Sequence, residues 1–219
     1  MSFELSSPYS NQELEEIISL LPSQMNNNRL LNLKNNLKNK VLNICNKYGY
    51  ITYVHNILNT GNGILDANNL TGNAVYKVKY LANICIPINN TQILIHMDII
   101  DNKIIKGSNG PIFCIILSKN INMEKFKIKN SGEIINIESD IILKKGDYVK
   151  VNILASQFNA NDTKINIIGW LDDLATNIPI NNYLCPKYES TNIDNTDNTD
   201  NIDDININTF NDDNIINEI

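Results

Sequence analysis

One stretch of this 219-residue chain clearly repeats its apolar residues every three or four positions: Leu30, Leu33, Leu37, Val41, Ile44 and Tyr48. Lys34, Lys38 and Lys47 fall between them. At 3.6 residues per turn, this spacing predicts an amphipathic helix of about five turns. Gly49 stands just beyond the last periodic residue, where helices often stop. A lone helix with one apolar stripe must cover that stripe with something, and most of the following sequence has strand patterning. The pattern therefore asks for an α+β fold in which the helix lies on a sheet.

Before the helix, Asn11–Leu21 is open to two readings. Glu13, Glu15 and Glu16 with Leu14, Ile17, Ile18 and Leu21 suit a helix, whereas Ile17–Leu21 equally suits a strand stopped by Pro22. Asn26-Asn27-Asn28 reads as a turn and helix start. After Gly49, Tyr50–Val54 is aromatic and β-branched, Gly61-Asn62-Gly63 supplies a turn, and Val75–Tyr80 alternates apolar with polar residues. Beyond Pro87, the strand candidates are Gln92–Ile100, Pro111–Leu117, Tyr148–Phe158 and Lys164–Trp170. Turns are expected at Asp101-Asn102, Gly107–Gly110, Lys145-Gly146-Asp147 and Asn159–Asp162. Short strands at this spacing suit a small Greek-key barrel of the OB type. From Thr176 on, repeats such as Asp194-Asn195-Thr196-Asp197-Asn198-Thr199-Asp200 cannot bury a core and predict a disordered tail. The expected organisation is a sheet-and-helix domain over 1–87, a barrel over 88–175 and an acidic tail over 176–219.

Charge divides the chain the same way. The net charge of −6 combines a body of 17 bases and 15 acids over 1–175 with a tail of nine acids and only Lys187 opposing them. The barrel segment 88–175 is neutral, with ten of each sign. The excess of Asn and Ile, with Arg29 as the only arginine, reflects AT-rich codons. Met1–Pro8 has no export-signal pattern, and no apolar run approaches the ~20 residues of a membrane span. Cys45, Cys85, Cys114 and Cys185 match neither a zinc motif nor a disulfide framework. An intracellular protein with reduced thiols and no membrane association is expected.

Several patterns, in order, resemble one family. A candidate strand ending in Pro22 precedes the Leu/Lys helix. Gly49-Tyr50-Ile51, Gly63-Ile64-Leu65 and Tyr76-Lys77-Val78-Lys79-Tyr80-Leu81-Ala82 follow, and Pro87 closes the first domain. Gly110-Pro111-Ile112-Phe113, Gly146-Asp147-Tyr148-Val149, Asn161-Asp162 and Gly169-Trp170-Leu171-Asp172-Asp173 continue the match in the barrel. Together, over 15–175, they are similar to the larger stalk subunit of multi-subunit DNA-directed RNA polymerases. That family includes the seventh subunit of RNA polymerase II and its archaeal counterpart. The chain resembles a divergent member, from a large DNA virus or another AT-rich genome. It departs from the family at Asp66–Gly72, where a different loop usually follows the hairpin. It departs again at Asp101–Lys106, which lacks the family's aromatic turn.

The resemblance implies a non-catalytic transcription subunit. It would dock on the polymerase core near the clamp, beside a smaller helical partner subunit, and guide nascent RNA. Core contacts are expected at Asn26, Asn27, Gly61, Asn62 and Gly63. An RNA-binding barrel needs aromatics and cations together, and the candidates are Phe113, Lys119, Lys125, Phe126, Lys127 and Lys129. The alternative for that lysine run is a charged edge strand that blocks sheet-to-sheet pairing. No catalytic residue, metal ligand or cofactor is assigned. His55 and His96 are the only histidines, and the sequence shows no carboxylate or cysteine at triad or metal-ligand spacing from either. Asp172 and Asp173, adjacent on a strand, should point to opposite faces. The place of action is expected to be the nucleus or, for a virus, the host-cell cytoplasmic factory and the virion. A stand-alone single-stranded-RNA-binding OB protein, in translation or RNA processing, is the competing reading. It would need a stronger basic face and no obligatory partner.

Overall fold

A computed structural model describes residues 4–65, 71–101, 104–129, 132–176 and 178–188. Most of the loop Asp66–Gly72, the turn residues Asn102 and Lys103, and the tail beyond 188 lie outside the described residues.

The first sheet resolves the ambiguity before the helix in favour of a strand. β1 (Tyr9–Leu20) alternates buried Leu14, Ile18 and Leu20 with outward Glu13, Glu15, Ile17 and Ser19. It runs antiparallel to β5 (Ala74–Cys85), from Tyr9↔Cys85 to Leu20↔Ala74. This register sets Lys77 beside Glu15 at 2.8 Å and Lys79 beside Glu13 at 2.6 Å on the outer face. α1 (Arg29–Val41) lies on the other face and buries Leu33, Leu37 and Val41. Lys40 near its end holds β1, donating to Glu16 Oε1 and to the Ile17 carbonyl, both at 2.8 Å.

The helix stops two turns earlier than its periodicity predicts. Leu42 is extended and Asn43 takes a left-handed φ of 62°, which asparagine tolerates better than most residues. Ile44 and Tyr48, in phase with the helix by sequence, instead flank β2 (Cys45–Asn46). Asn46 Oδ1 accepts from the Tyr48 and Gly49 amides and closes the turn into β3 (Gly49–Thr60). Gly49 therefore opens a strand rather than ending a helix. A Cβ on it would lie 2.6 Å from the Cys85 carbonyl oxygen, so a side chain has no room there. β3 lies between β5 and β2, and the short β4 (Ile64–Leu65) also pairs with β5.

The second half forms a closed five-stranded barrel. Its strands are β6 (Gln92–Ile100), β7 (Ile104–Asn109), β8 (Ile112–Ile121), β11 (Tyr148–Gln157) and β12 (Ile165–Leu174). A hairpin of β9 (Phe126–Ile128) and β10 (Ile134–Asn136) sits between β8 and β11 in sequence. Around the barrel the order is β11-β12-β8-β7-β6, closed by β6 on β11, with β12 parallel to β8. Alternating inward residues such as Ile93, Ile95, Met97, Cys114, Ile116, Val151 and Ile167 fill the interior. The expected turn over Gly107–Gly110 is corrected here, because β7 runs through to Asn109 and the chain turns at Gly110-Pro111. Gly107 sits inside that strand, where a Cβ would lie 2.6 Å from the His96 carbonyl.

The sheet and the barrel share backbone bonds. Cys45 N donates to Asp162 O and Asn161 N to Cys45 O, both at 2.8 Å. Ser6 N donates to Gln92 O, also at 2.8 Å. Cys45 and Cys85, from the first sheet, pack into the barrel's apolar cluster.

Residues 178–188 differ from the disorder expected from Thr176 onward. They form a strap with a 3-10 turn at Ile180–Asn182. The side chain of Asn109, buried at the end of β7, holds the strap. Its Nδ2 donates to the Tyr183 and Leu94 carbonyls at 2.9 Å, and its Oδ1 accepts from Cys185 N at 3.1 Å. The physical reason lies in the composition: Thr176–Tyr188 contains no acid, and the acidic run begins at Glu189.

Candidate docking tip and nucleic-acid face

The first residue of α1 and the turn after β3 meet around one aromatic ring. Gly63 lies against the ring of Tyr76, and the Arg29 guanidinium stands 5.9 Å from its centroid. Asn26 and Asn27, just before Arg29, are exposed, as are Gly61, Asn62 and Gly63. Asn26 is held locally, its Oδ1 accepting from Asn28 N at 2.9 Å and from Asn32 Nδ2 at 3.3 Å. Gly61 N donates to Lys77 O at 2.8 Å. Of the five residues expected to contact a polymerase, Gly63 thus touches the ring, and Asn26 is tied to Arg29, whose amide donates to its carbonyl at 2.9 Å.

Sequence reasoning misses the apolar surface in this region. Ile64 is 69% exposed and Leu65 66%, and Leu21, Leu30 and Leu31 are also open to solvent. The periodicity puts Leu30 in the core stripe, but on the first turn of α1 it is exposed. A group of exposed large aliphatic side chains is a common mark of a protein–protein contact. The available signal is Ile64-Leu65 itself, since adjacent strand residues face opposite ways and a two-residue strand cannot bury both.

The expected RNA set is dispersed. Phe113 is half-buried on the outer face of β8, paired with Ser108 and Asn166 of the neighbouring strands. Lys119, exposed near the other end of that strand, is on the order of 20 Å away at the usual strand rise. Phe126 is corrected: at 1% exposure it belongs to the barrel core and has no face on which a base could stack. Lys125 is ion-paired to Asp173 at 3.0 Å and Asp172 at 3.8 Å. Burial opposes its charge, but the hydrogen bond to Asp173 and the nearby carboxylates outweigh that, and its pKa is raised. Lys129 pairs with Glu133 at 3.6 Å, while Lys127 is exposed.

Two further expectations change. A bulge in β12 skips Asp172 in the pairing with β11, so both Asp172 and Asp173 reach Lys125 instead of facing apart. His96 does have a carboxylate partner, Asp98, at 3.0 Å, and its ring packs edge-on to Tyr148. Among the described residues, no cluster of three or more His, Cys, Asp or Glu is arranged to hold a metal, and no helix is long and apolar enough to cross a membrane.

A cleft of about 380 Å³ opens where β3, the Gly110-Pro111 turn and the strap converge. Tyr50, Tyr53, Lys164 and Tyr188 line it. Tyr188 stacks on Tyr53 with ring centroids 4.2 Å apart and planes 16° from parallel. His55 meets both rings edge-on, at 5.1 Å and 5.3 Å. Tyr53 and Tyr188 are 135 positions apart, and no local pattern announces their contact.

No family model matches the chain. Over 175 residues, covering 80% of this chain and 87% of the other, it is 38% identical to a putative DNA-directed RNA polymerase subunit of Acanthamoeba polyphaga mimivirus.

Proposed function

We propose, from the premise that the chain belongs to the family of this viral DNA-directed RNA polymerase subunit, that it is the larger stalk subunit of such a polymerase. The identity over most of both chains carries the subunit reading. The stalk reading draws its support from the order of motifs over 15–175 and from the architecture. A small sheet with one helix is followed by a barrel whose strand order, with β12 parallel to β8, suits the OB type.

In this reading, Asn26, Asn27 and Gly61–Gly63 approach the polymerase core near the clamp. Leu21, Leu30, Leu31, Ile64 and Leu65 supply the apolar area that such a contact buries. The protein is accessory and contributes no catalytic residue. A smaller helical partner lies alongside it, and the barrel guides emerging transcript with Phe113, Lys119 and Lys127 on its outer surface. Lys125 and Lys129, already paired with carboxylates, contribute less to phosphate binding. The viral relative supports action inside the host cell; in this reading the place is the nucleus or, for a virus, the cytoplasmic factory and the virion.

Affinity capture of a tagged full-length copy from cells tests the proposal. The large catalytic polymerase subunits should be recovered, together with a small helical protein. Recovery of ribosomal or translation-initiation proteins alone would overturn it and favour the stand-alone RNA-binding protein.

A further inference from the structure

The Tyr53–Tyr188 stack has an unusual geometry. Tyrosine pairs in proteins commonly sit offset or edge-on, with centroids roughly 4.5–7 Å apart. Here the rings are nearly parallel at 4.2 Å, the geometry of a base on an aromatic platform. Tyr53 is supplied by β3, a sheet strand, and is a fixed platform. His55, two residues along, abuts both rings, and its Nε2 lies 3.2 Å from Asn11 Oδ1 on β1. Tyr188 is supplied by the last described residue of the strap.

The cleft beside the stack has the size and chemistry of a nucleotide unit. Its volume is about 380 Å³, and Lys164 is the one charged side chain among its lining residues. Thr163 and Asn43 add polar groups at its edge. Pro111, just before β8, also lines it. The sequence after Tyr188 completes the picture: 189–219 carries nine acids and no base. An aromatic ring followed by a polyanionic chain presents the same succession of chemical groups as a base followed by its phosphodiester backbone.

We infer that Tyr53, with His55 and Lys164, is a binding site for one base of single-stranded RNA, and that Tyr188 occupies it as an internal stand-in for that base. RNA enters by displacing Tyr188, and its phosphate meets Lys164. The inference rests on the reading that this subunit handles transcript.

The test uses the full-length chain and a short fluorescein-labelled single-stranded RNA, with a blunt duplex of the same sequence as a second probe. Fluorescence anisotropy is read for the wild type, Tyr53→Ala, Tyr53→Phe, Tyr188→Ala and Lys164→Gln. Because removal and displacement act in opposite senses, the two tyrosine changes should move affinity in opposite directions. Tyr53→Ala should weaken single-strand binding roughly tenfold to a hundredfold, and Tyr53→Phe should restore it. Tyr188→Ala should tighten binding on the order of tenfold by freeing the platform. Lys164→Gln should lower the salt slope by about one. The duplex, whose bases are not free to stack, should respond to neither tyrosine change. Thermal melts establish that the variants are folded.

Equal single-strand affinities for the wild type, Tyr53→Ala and Tyr188→Ala would overturn the inference, as would weakening by both changes or absence of RNA binding throughout. None of these results affects capture of polymerase subunits, which tests the subunit reading separately.

Discussion

Asn109 Oδ1 accepts a hydrogen bond from the Cys185 backbone amide at 3.1 Å, across 76 residues of sequence. The same side chain donates to Leu94 and Tyr183, and the Tyr9 hydroxyl donates to the Asn109 carbonyl at 2.8 Å. One buried residue thus ties β1, β6 and the strap together at the junction of sheet and barrel. Asn109→Leu strands several of these partners in a buried site. At about 1–3 kcal/mol for a group left unsatisfied, the expected loss is roughly 2–4 kcal/mol. Urea unfolding of the two proteins measures it.

The strap also sets where the chain can be shortened. A protein ending at Tyr188 should unfold at the same urea midpoint as the full chain. One ending at Thr176 should unfold earlier, because Asn109 loses Tyr183 and Cys185 and Tyr53 loses Tyr188. Equal midpoints for all three would show that the strap adds no stability.

The tip should separate docking from folding. Ile64→Asp with Leu65→Asp changes two side chains that are mostly in solvent, so stability should move by less than about 0.5 kcal/mol per site. Recovery of polymerase subunits on affinity capture should fall sharply. Leu37→Ala is the counterpart, since it opens a cavity beneath α1 and should cost about 2–5 kcal/mol.

Alkaline pH should destabilise the barrel through Cys114. Burial pushes its thiol from 9.0 up to about 12. A folded-state pKa above the unfolded one gives stability that is whole below pH 9 and declines as pH rises toward 12, because the unfolded chain loses the proton first. Cys114→Ala should flatten that part of the stability profile. An unchanged profile would assign the alkaline loss to other groups, with Cys45, raised to about 11, the next to test.

Much of the architecture is legible in the sequence because burial leaves a period. Leu33, Leu37 and Val41 mark the helix, and the strand expected over Gln92–Ile100 coincides with β6 at both ends. The periodicity overshoots the helix because Ile44 and Tyr48 stay in phase while Asn43 turns the backbone away. β7 is hidden by Gly107, which reads as a turn locally but serves a close strand approach. In the candidate site, the exposure of Lys127 can be read from the chain. The burial of Phe126 and the capture of Lys125 by Asp172 and Asp173 depend on a hairpin and a bulge that no short window contains. The tyrosine stack is invisible for a similar reason, since each ring sits in an ordinary local setting.

The parallel pairing of β12 with β8 has a consequence for synthesis. Ile112 pairs with Ile165, so one edge of β8 waits for a strand made roughly fifty residues later. At about 5–20 residues per second, the ribosome leaves that edge unpaired for roughly 3–10 s. During that interval the nascent chain offers an open, isoleucine-rich ribbon, Ile112–Ile121, to any neighbour able to add a strand. Yield in a heterologous host should therefore depend more on elongation rate and chaperone supply than on the stability of the finished barrel.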